Sequence, residues 1–233
     1  MFRAEPFFDF TYVWSSMGIL LKGFGLAMAC ATFAIIIAII FGLIIALMRL
    51  SSVKSLKGFA FLYTQLFRGI PLYVLLIWVY FGLAIAIGIN MPAIMAGVVT
   101  LGLLNSGYLA ETFRSGISAI DRGQVEAGMA LGLSKRDVTR SIVLPQAFRI
   151  IIPPLGNQYV DAIKDTAILS IIGVPELMRE TQQLADLHYK PFEFYTFAGL
   201  LYLIAVLTIS RLLAKLEKRV SAHSAQSPIK AIP

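Results

Sequence analysis

Polar and charged side chains interrupt an otherwise apolar stretch between residues 150 and 172. A charged side chain in a bilayer costs at least a few kcal/mol unless it is paired or hydrated, so such residues are candidates for function. At about 100° per residue, five of them fall within about 120° of arc and form one polar face of a helix: Asn157, Gln158, Asp161, Lys164 and Asp165. Such a face could line the path of a polar solute through the membrane.

Two further charges, Arg68 and Glu111, lie at membrane depth in other apolar stretches. Together with the polar face, they are the candidates for a substrate path. The alternative is a structural cluster of ion pairs, for example Arg68 with Glu111, or Lys164 with a carboxylate on a neighbouring span. The residue types alone leave both interpretations open.

The composition identifies the environment in which these charges act. Of 233 residues, 58% are hydrophobic and only 14% are charged, and the mean hydropathy is +0.79. An ordinary soluble domain has about 45–50% apolar and about 25% charged residues. The composition therefore excludes a disordered chain and a disulfide scaffold, and it argues against a soluble enzyme.

The sequence contains no pattern that predicts catalysis or metal binding. One cysteine and two histidines that are far apart offer no metal site. No Gly-Lys dipeptide is present for a phosphate-binding loop, so this chain cannot hydrolyse ATP through such a loop. The net charge of +7 would favour nucleic acid in a soluble protein, but in a membrane protein it bears on topology instead.

Five membrane-spanning helices are predicted, because one span needs roughly 20 apolar residues. The longest charge-free stretch, 69–110, has room for two spans, and a turn at 88–92 separates them. The spans lie near 20–48, 58–86, 92–114, 150–172 and 193–213. The predicted fold is all-α: an integral membrane domain at 20–215, between an extracytoplasmic segment at 1–19 and a cytoplasmic tail at 216–233.

Lysine and arginine are distributed unequally between the two sides of these spans. Fourteen of the 20 lie in the connections near 49–57 and 114–149 and in the tail. Because positive charge accumulates in cytoplasmic loops, the amino terminus is predicted outside and the carboxyl terminus in the cytoplasm. The first 16 residues lack the pattern of a cleavable signal peptide. Aromatic residues there are typical of an interfacial belt: Phe7, Phe8, Phe10, Tyr12 and Trp14.

The cytoplasmic loop at 115–149 contains signals for two helices that are separated by a turn. Gly132 would end the first helix in a left-handed conformation. Ser134 and Asp137 form an S-x-x-D start for the second helix, and Pro145 limits or kinks it. Exposed apolar residues favour a docking surface over a simple linker: Leu131, Leu133 and Val138.

The same loop resembles the EAA loop of the permease subunits of ABC importers. That loop reads E-A-A, then a glycine four positions after the second alanine, then I-x-L-P beginning ten positions beyond the glycine. Six residues of this chain stand at those offsets: Glu126, Ala127, Gly132, Ile142, Leu144 and Pro145. The one departure is Gly128 in place of the second alanine, which weakens the helix by up to about 1 kcal/mol.

Further segments resemble the polar amino acid branch of these importers, the histidine, glutamine or glutamate type. That branch has F-R-G-T-P-L, L-P-Q-A-x-R, K-D-T and V-x-E-L motifs. This chain has F-R-G-I-P-L at 67–72, N-S-G-Y at 105–108, L-P-Q-A-F-R at 144–149, K-D-T at 164–166 and V-P-E-L at 174–177. The motifs follow one another in the same order over most of the chain.

The resemblance implies the MetI-like type I permease core, as half of a permease dimer in the bacterial cytoplasmic (inner) membrane. The implied partners are an ABC ATPase dimer, a second permease of the same or a similar sequence, and an extracytoplasmic amino-acid-binding protein. The ATPase would bind ATP and magnesium, so no cofactor is expected on this chain. Coupling to the ATPase would use these residues: Glu126, Ala127, Gly128, Leu131, Gly132, Leu144 and Pro145.

The resemblance also bears on the polar face, because the family binds its amino acid on the fourth span. A carboxylate there could hold the substrate's α-ammonium group, and an arginine could hold its α-carboxylate. The neutral Gln158 would read the side chain less selectively than an acid. Acidic residues of the last outer loop either contact the binding protein or only solvate the loop: Glu176, Glu180, Asp186 and Glu193.

A passive channel or a secondary transporter that needs no ATPase is the alternative function. It predicts inverted repeats, but five spans do not divide into equal halves and no internal repeat is visible. A membrane scaffold without transport activity would have no use for an intramembrane polar face. Which amino acid is carried, and whether the permease pairs with itself or with a second chain, stays open.

Overall fold

The computed structural model describes residues 8–222, and every regular element within them is helical. The predicted all-α fold is therefore confirmed for this part of the chain. Phe7 of the predicted aromatic belt and residues 223–233 of the predicted tail lie outside the described residues.

Three helices of the described chain are long and apolar enough to cross a membrane. They are α2 (Met17–Leu50), α6 (Ala93–Ser118) and α11 (Pro191–Ala222). Helices α2 and α6 pack along each other at small residues, as is usual where lipid provides no hydrophobic force for association. A Cβ added at Gly42 would lie 2.9 Å from Leu109 Cβ, and one at Gly102 would lie 2.7 Å from Ile37 Cγ2.

The helix predicted as one span near 58–86 is broken in the structure. Its first part, α3 (Lys54–Gly69), meets α4 (Leu72–Ile77) at an angle of 105°. From there α4 continues through a π-helical turn (Trp78–Gly82) into α5 (Leu83–Ile87). Pro71 has no N–H to donate and disfavours helical geometry at Ile70, whose ψ of 129° is extended. The two segments together count as at most one further span.

The fourth predicted span is helical but is polar for a membrane helix. Helix α9 (Leu144–Asp165) continues as a 3₁₀ segment (Thr166–Ile172) and ends at Gly173, whose φ is +81°. With Asp161, Lys164 and Asp165 in its second half, it is not among the helices that qualify as spans by composition. It packs against α2, α6 and α11, so protein rather than lipid surrounds much of it.

The loop at 115–149, which is predicted to be cytoplasmic, has the helix–turn–helix form that the sequence predicts. Helix α7 (Arg122–Ala130) is followed by Gly132 at φ +83° and then by α8 (Lys135–Val138). Ser134 caps α8, because its Oγ accepts the Asp137 N–H at 3.2 Å. A π-helical turn (Thr139–Val143) then joins α8 to α9 without a loop. Pro145 thus marks a change of helix type and does not end the helix.

The extracytoplasmic end of the predicted topology consists of α1 (Thr11–Ser15), α10 (Leu177–His188) and the start of α11. The Glu176 carboxylate caps α10, accepting the Met178 and Arg179 N–H groups at 2.9 Å and the Tyr202 hydroxyl at 3.0 Å. Glu193 accepts the backbone N–H of Asp9 at 3.0 Å.

The four acidic residues of the last outer loop do not form one exposed surface, contrary to the expectation from the sequence. Glu176 and Glu193 are buried inside the fold, Glu180 is half-buried and Asp186 is exposed. Two of the four carboxylates therefore hold the fold together and cannot contact a docked protein. The reason is that buried backbone and hydroxyl donors need an acceptor, and a carboxylate provides one.

Replacement of Glu176 should lower the stability of the folded chain. Glu176→Ala removes a helix cap and leaves buried donors without a partner, at a cost of about 2–4 kcal/mol. Tyr202→Phe removes only one of the three hydrogen bonds and should cost about 1 kcal/mol. The unfolding temperature of the detergent-purified protein measures both effects, with Asp186→Ala as the exposed control. Equal unfolding temperatures for Glu176→Ala and the control would contradict this role.

The predicted orientation can be tested with cysteines at exposed positions on opposite ends of the helices. Lys135 and Asp186 are both exposed, and the native Cys30 is buried and can be replaced by alanine. In intact cells an impermeant thiol reagent should label Asp186→Cys and leave Lys135→Cys unlabelled. Inverted vesicles should give the opposite pattern. Labelling of Lys135→Cys in intact cells would reverse the predicted topology.

Candidate functional site

A cavity of about 560 Å³ lies where the break between α3 and α4 meets the polar face of α9. Residues 69–72, with extended backbone at Ile70 and Pro71, form one wall, and Leu104 and Tyr108 of α6 form another. The remaining lining side chains carry charges or an amide: Arg68, Gln158, Asp161, Lys164 and Asp165. We call it the main cavity.

A second cavity of about 320 Å³ adjoins the main cavity. The two share Arg68, Tyr108 and Gln158, and the second adds Glu111 and Asn157. All seven residues that the sequence analysis named as candidates for a substrate path therefore line one or both cavities. The break in the second predicted span is what brings Arg68 to the polar face of α9.

Two ion pairs within the described chain involve these residues. Neither is the pair of Arg68 with Glu111 or a pair of Lys164 with a neighbouring span. Lys164 Nζ lies 2.7 Å from Asp161 Oδ1 on its own helix. Glu111 pairs with Arg114, whose Nε donates to Glu111 Oε2 at 3.0 Å. Both pairs are three residues apart on one helix, a spacing that places side chains on the same face. Neither of these two pairs joins two spans.

The other two charges of the main cavity have no ion-pair partner within residues 8–222. The guanidinium of Arg68 lies over the ring of Tyr108 at 5.3 Å, a distance typical of a cation–π contact. The carboxylate of Asp165 forms no hydrogen bond or ion pair with another described residue, although the charges of Lys164 and Asp161 act on it from nearby. One positive and one negative group thus line the cavity without an ion-pair partner in the described chain.

The amide of Gln158 is oriented by a residue that the sequence analysis did not select. Gln158 Nε2 donates to Asn105 Oδ1 at 2.5 Å, and Asn105 Nδ2 donates to the carbonyl of Leu101 at 2.7 Å. Asn105 is fully buried, so this assignment of its amide satisfies both groups. The Gln158 Oε1 atom is left as a hydrogen-bond acceptor for the cavity.

The neighbours of Asn105 in the N-S-G-Y motif bring α3 against α6. Ser106 Oγ lies 2.6 Å from the hydroxyl of Tyr63 on α3. At Gly107 an added Cβ would lie 3.1 Å from Phe67 Cβ and 3.3 Å from Arg68 Cγ. The glycine therefore permits the close approach that positions Arg68. The spacing of Asn105 and Tyr108, three residues apart, was a signal that both lie on one helix face.

The predicted coupling residues lie on the surface of the loop at 115–149, except one. Glu126 pairs with Arg122 at 2.9 Å across an exposed face, and the Leu131 side chain is 84% exposed. Six of the seven are exposed: Glu126, Ala127, Leu131, Gly132, Leu144 and Pro145. Of the apolar residues expected at the surface, Leu131 and Leu133 are exposed, but Val138 is buried.

Gly128, the departure from the E-A-A pattern, faces inward and allows α7 to pack closely. An added Cβ there would lie 2.8 Å from Ile142 Cδ1 and 3.1 Å from Val138 Cγ2. Val138 is therefore covered by α7, which explains why its side chain is not part of the exposed surface. The backbone N–H of Leu133 also bonds the Gly128 carbonyl at 3.2 Å and closes the turn.

Comparison with known proteins agrees with this architecture. Residues 38–222 match the family described as binding-protein-dependent transport system inner membrane component. The chain is 33% identical to the arginine transport system permease protein ArtQ of Bacillus subtilis (strain 168), over 92% of this chain and 98% of that protein. It is 31% identical to the glutamine transport system permease protein GlnP of Escherichia coli (strain K12), over 91% and 98% respectively.

Solved structures show the same fold. A chain from the crystal structure of an amino acid ABC transporter with histidines has a TM-score of 0.86 and 37% identity, over 91% of this chain and 98% of that one. The inward facing MetNI methionine ABC transporter has a TM-score of 0.75 and 19% identity and supports the fold alone. The predicted MetI-like fold is confirmed. The chain belongs to the family of binding-protein-dependent transport system inner membrane components, and it is a permease subunit of an ABC importer and not an enzyme.

Proposed function

We propose that this permease takes up a polar amino acid and that the main cavity binds the amino acid during its passage. The observation that carries the proposal is the presence of one unpaired cation, Arg68, and one unpaired carboxylate, Asp165, on the same cavity. Every free amino acid has an α-carboxylate and an α-ammonium group. Arg68 would bind the first and Asp165 the second through charge-assisted hydrogen bonds.

The size and the walls of the cavity suit a small polar ligand. Its volume of about 560 Å³ lies in the range of small-molecule sites, roughly 300–1,000 Å³. The non-helical backbone at Ile70 and Pro71 fits a water-filled cavity, because irregular backbone inside a membrane needs water or protein to satisfy it. Gln158 Oε1 would accept a hydrogen bond from the substrate's side chain.

The names of the relatives support a polar amino acid as the substrate class. One relative is an arginine permease and another is a glutamine permease, at similar levels of identity. The family match also favours an ATP-driven importer over a passive channel or a secondary transporter. Membership of this family implies an ATPase, a second permease and an extracytoplasmic binding protein as partners, and we propose the ATPase dimer and an amino-acid-binding protein.

We further propose that the exposed residues of α7 and its turn dock on the ATPase. From Lys135 to Ile172 the chain is helical without an intervening loop, through α8, the π-helical turn, α9 and the 3₁₀ segment. A displacement of the docked loop would therefore pass to the polar face of α9 along continuous helix, which includes the π-helical turn and the interior prolines Pro153 and Pro154. Shear or rotation of packed helices is a common way in which such a displacement opens or closes a site.

Substitution at Gly132 tests the docking surface. Leucine at this left-handed position is strained by about 1–2 kcal/mol and should misplace α7, so ATP-driven uptake by Gly132→Leu should fall more than tenfold. Asparagine tolerates this conformation, so Gly132→Asn is the matched control and should retain most uptake. Uptake in proteoliposomes and the amount of co-purified ATPase are measured together. Normal uptake by Gly132→Leu would refute the docking assignment.

Substitution at Asp165 tests the cavity. Asp165→Asn removes a charge-assisted hydrogen bond worth roughly 1.5–3 kcal/mol, so amino acid affinity should fall about ten- to a hundredfold. Uptake is measured in proteoliposomes and normalised to assembled complex, while capture of the amino acid by the binding protein stays intact. Glu217→Gln, at an acid near the end of α11 that lines neither cavity, is the control. Unchanged uptake by Asp165→Asn would remove the main cavity from the substrate path.

A further inference from the structure

Two of the four charged side chains that face the main cavity neutralise each other. Lys164 and Asp161 lie one turn apart on α9, with Nζ and Oδ1 separated by 2.7 Å. The acid precedes the lysine, which is the more favourable order for such a pair on a helix. Both side chains are 53% exposed, so each would be within reach of a ligand if its partner were absent.

The remaining charges of the cavity match the two groups that all amino acids share. Arg68 and Asp165 are not ion-paired within the described chain, and together they carry no net charge. A bound amino acid would use both of them for its α-carboxylate and α-ammonium groups. No uncompensated charge would then be left on the cavity wall for a charged side chain.

The cavity can contact the side chain of a bound amino acid through the neutral amide of Gln158. Gln158 Nε2 is occupied by Asn105, so Gln158 presents its carbonyl oxygen. That oxygen can accept a hydrogen bond from an amide or a hydroxyl group without a charge on either partner. Its strength is correspondingly below that of a charge-assisted bond.

We infer that the Lys164–Asp161 pair makes the main cavity selective for amino acids with an uncharged polar side chain, an inference that rests on the proposed function. Because Asp161 is paired with Lys164, it is not available to bind a cationic side chain. Lys164 is likewise not available to bind an acidic side chain. A charged substrate has to break this half-exposed pair or bring an unpaired charge into the cavity, and both are unfavourable. Lys164 and Asp161 are thus specificity-determining residues.

The test is equilibrium binding of labelled glutamine, arginine and glutamate to the purified permease–ATPase complex. The binding protein is omitted, because its own selectivity would mask that of the cavity. In Lys164→Gln the affinity for arginine relative to glutamine should rise at least about tenfold, which corresponds to about 1.4 kcal/mol. In Asp161→Asn the affinity for glutamate relative to glutamine should rise by a similar factor. The double variant should return both ratios to near the wild-type values.

The charge at residue 164 can be removed and then restored chemically in one preparation, which provides the matched control. Lys164→Cys, in a chain whose buried Cys30 is replaced by alanine, should prefer arginine as Lys164→Gln does. Reaction with aminoethyl methanethiosulfonate restores an ammonium group at this position and should restore the preference for glutamine. The comparison is made on one assembled complex, so differences in folding do not enter.

The outcomes separate this inference from the proposed function. Unchanged ratios in Lys164→Gln and Asp161→Asn, with glutamine still bound, overturn the inference and leave the proposed function standing. Equal loss of all three amino acids in assembled Lys164→Gln also overturns it, because Lys164 would then contact the groups that all substrates share. Unchanged glutamine binding in both Arg68→Gln and Asp165→Asn would instead overturn the proposed function.

Discussion

The polar face of α9 has to be kept from lipid, and the arrangement of the other helices follows from that constraint. Lipid cannot hydrogen-bond to Asn157, Gln158 or the three charges that follow them, so protein or water must do so. Helices α2, α6 and α11 pack against α9. On its remaining side, the broken helix of α3 and α4 leaves a cavity that water and a polar solute can occupy.

Helix α6 connects the cavity to the rest of the fold through four consecutive residues. Asn105 orients Gln158, Ser106 contacts Tyr63, Gly107 admits the end of α3, and Tyr108 lies beneath the guanidinium of Arg68. Each residue type suits its contact. The amide of Asn105 bonds another amide, and the hydroxyl of Ser106 bonds a phenol. Gly107 has no side chain to prevent close approach, and the ring of Tyr108 faces a cation. Positioning of the cavity thus depends on a short segment that contributes only one ring to its wall.

The loop at 115–149 and the polar face of α9 are joined by continuous helix. Gly128 allows α7 to pack on Val138 and Ile142, and Gly132 sets the turn into α8. Beyond α8 the helix continues to the polar face, and its hydrogen-bonding pattern changes twice, to π-helical before Pro145 and to 3₁₀ after Asp165. Such changes of helix type are frequent at functional sites and hinges. Of these two changes, only the π-helical turn lies between the loop and the proposed substrate residues, so a force applied at the loop would cross one such point before it reaches the polar face.

Local patterns in the sequence determined the spans of α2, α6 and α11, the polar face of α9 and the turn at Gly132, because hydrophobic periodicity and helix capping depend on neighbours within a few residues. The five candidates on the polar face were found from the same periodicity, and Arg68 and Glu111 were found as charges within apolar stretches. The i,i+3 ion pairs and the turn of 105° at Pro71 have local causes, but hydropathy does not reveal them. The tertiary structure alone decided that Arg68 reaches the polar face of α9, that Val138, Glu176 and Glu193 are buried, and that Asn105 serves Gln158. These depend on residues up to 184 positions apart, as in the bond from Asp9 to Glu193, and their distances are fixed only when the helices pack.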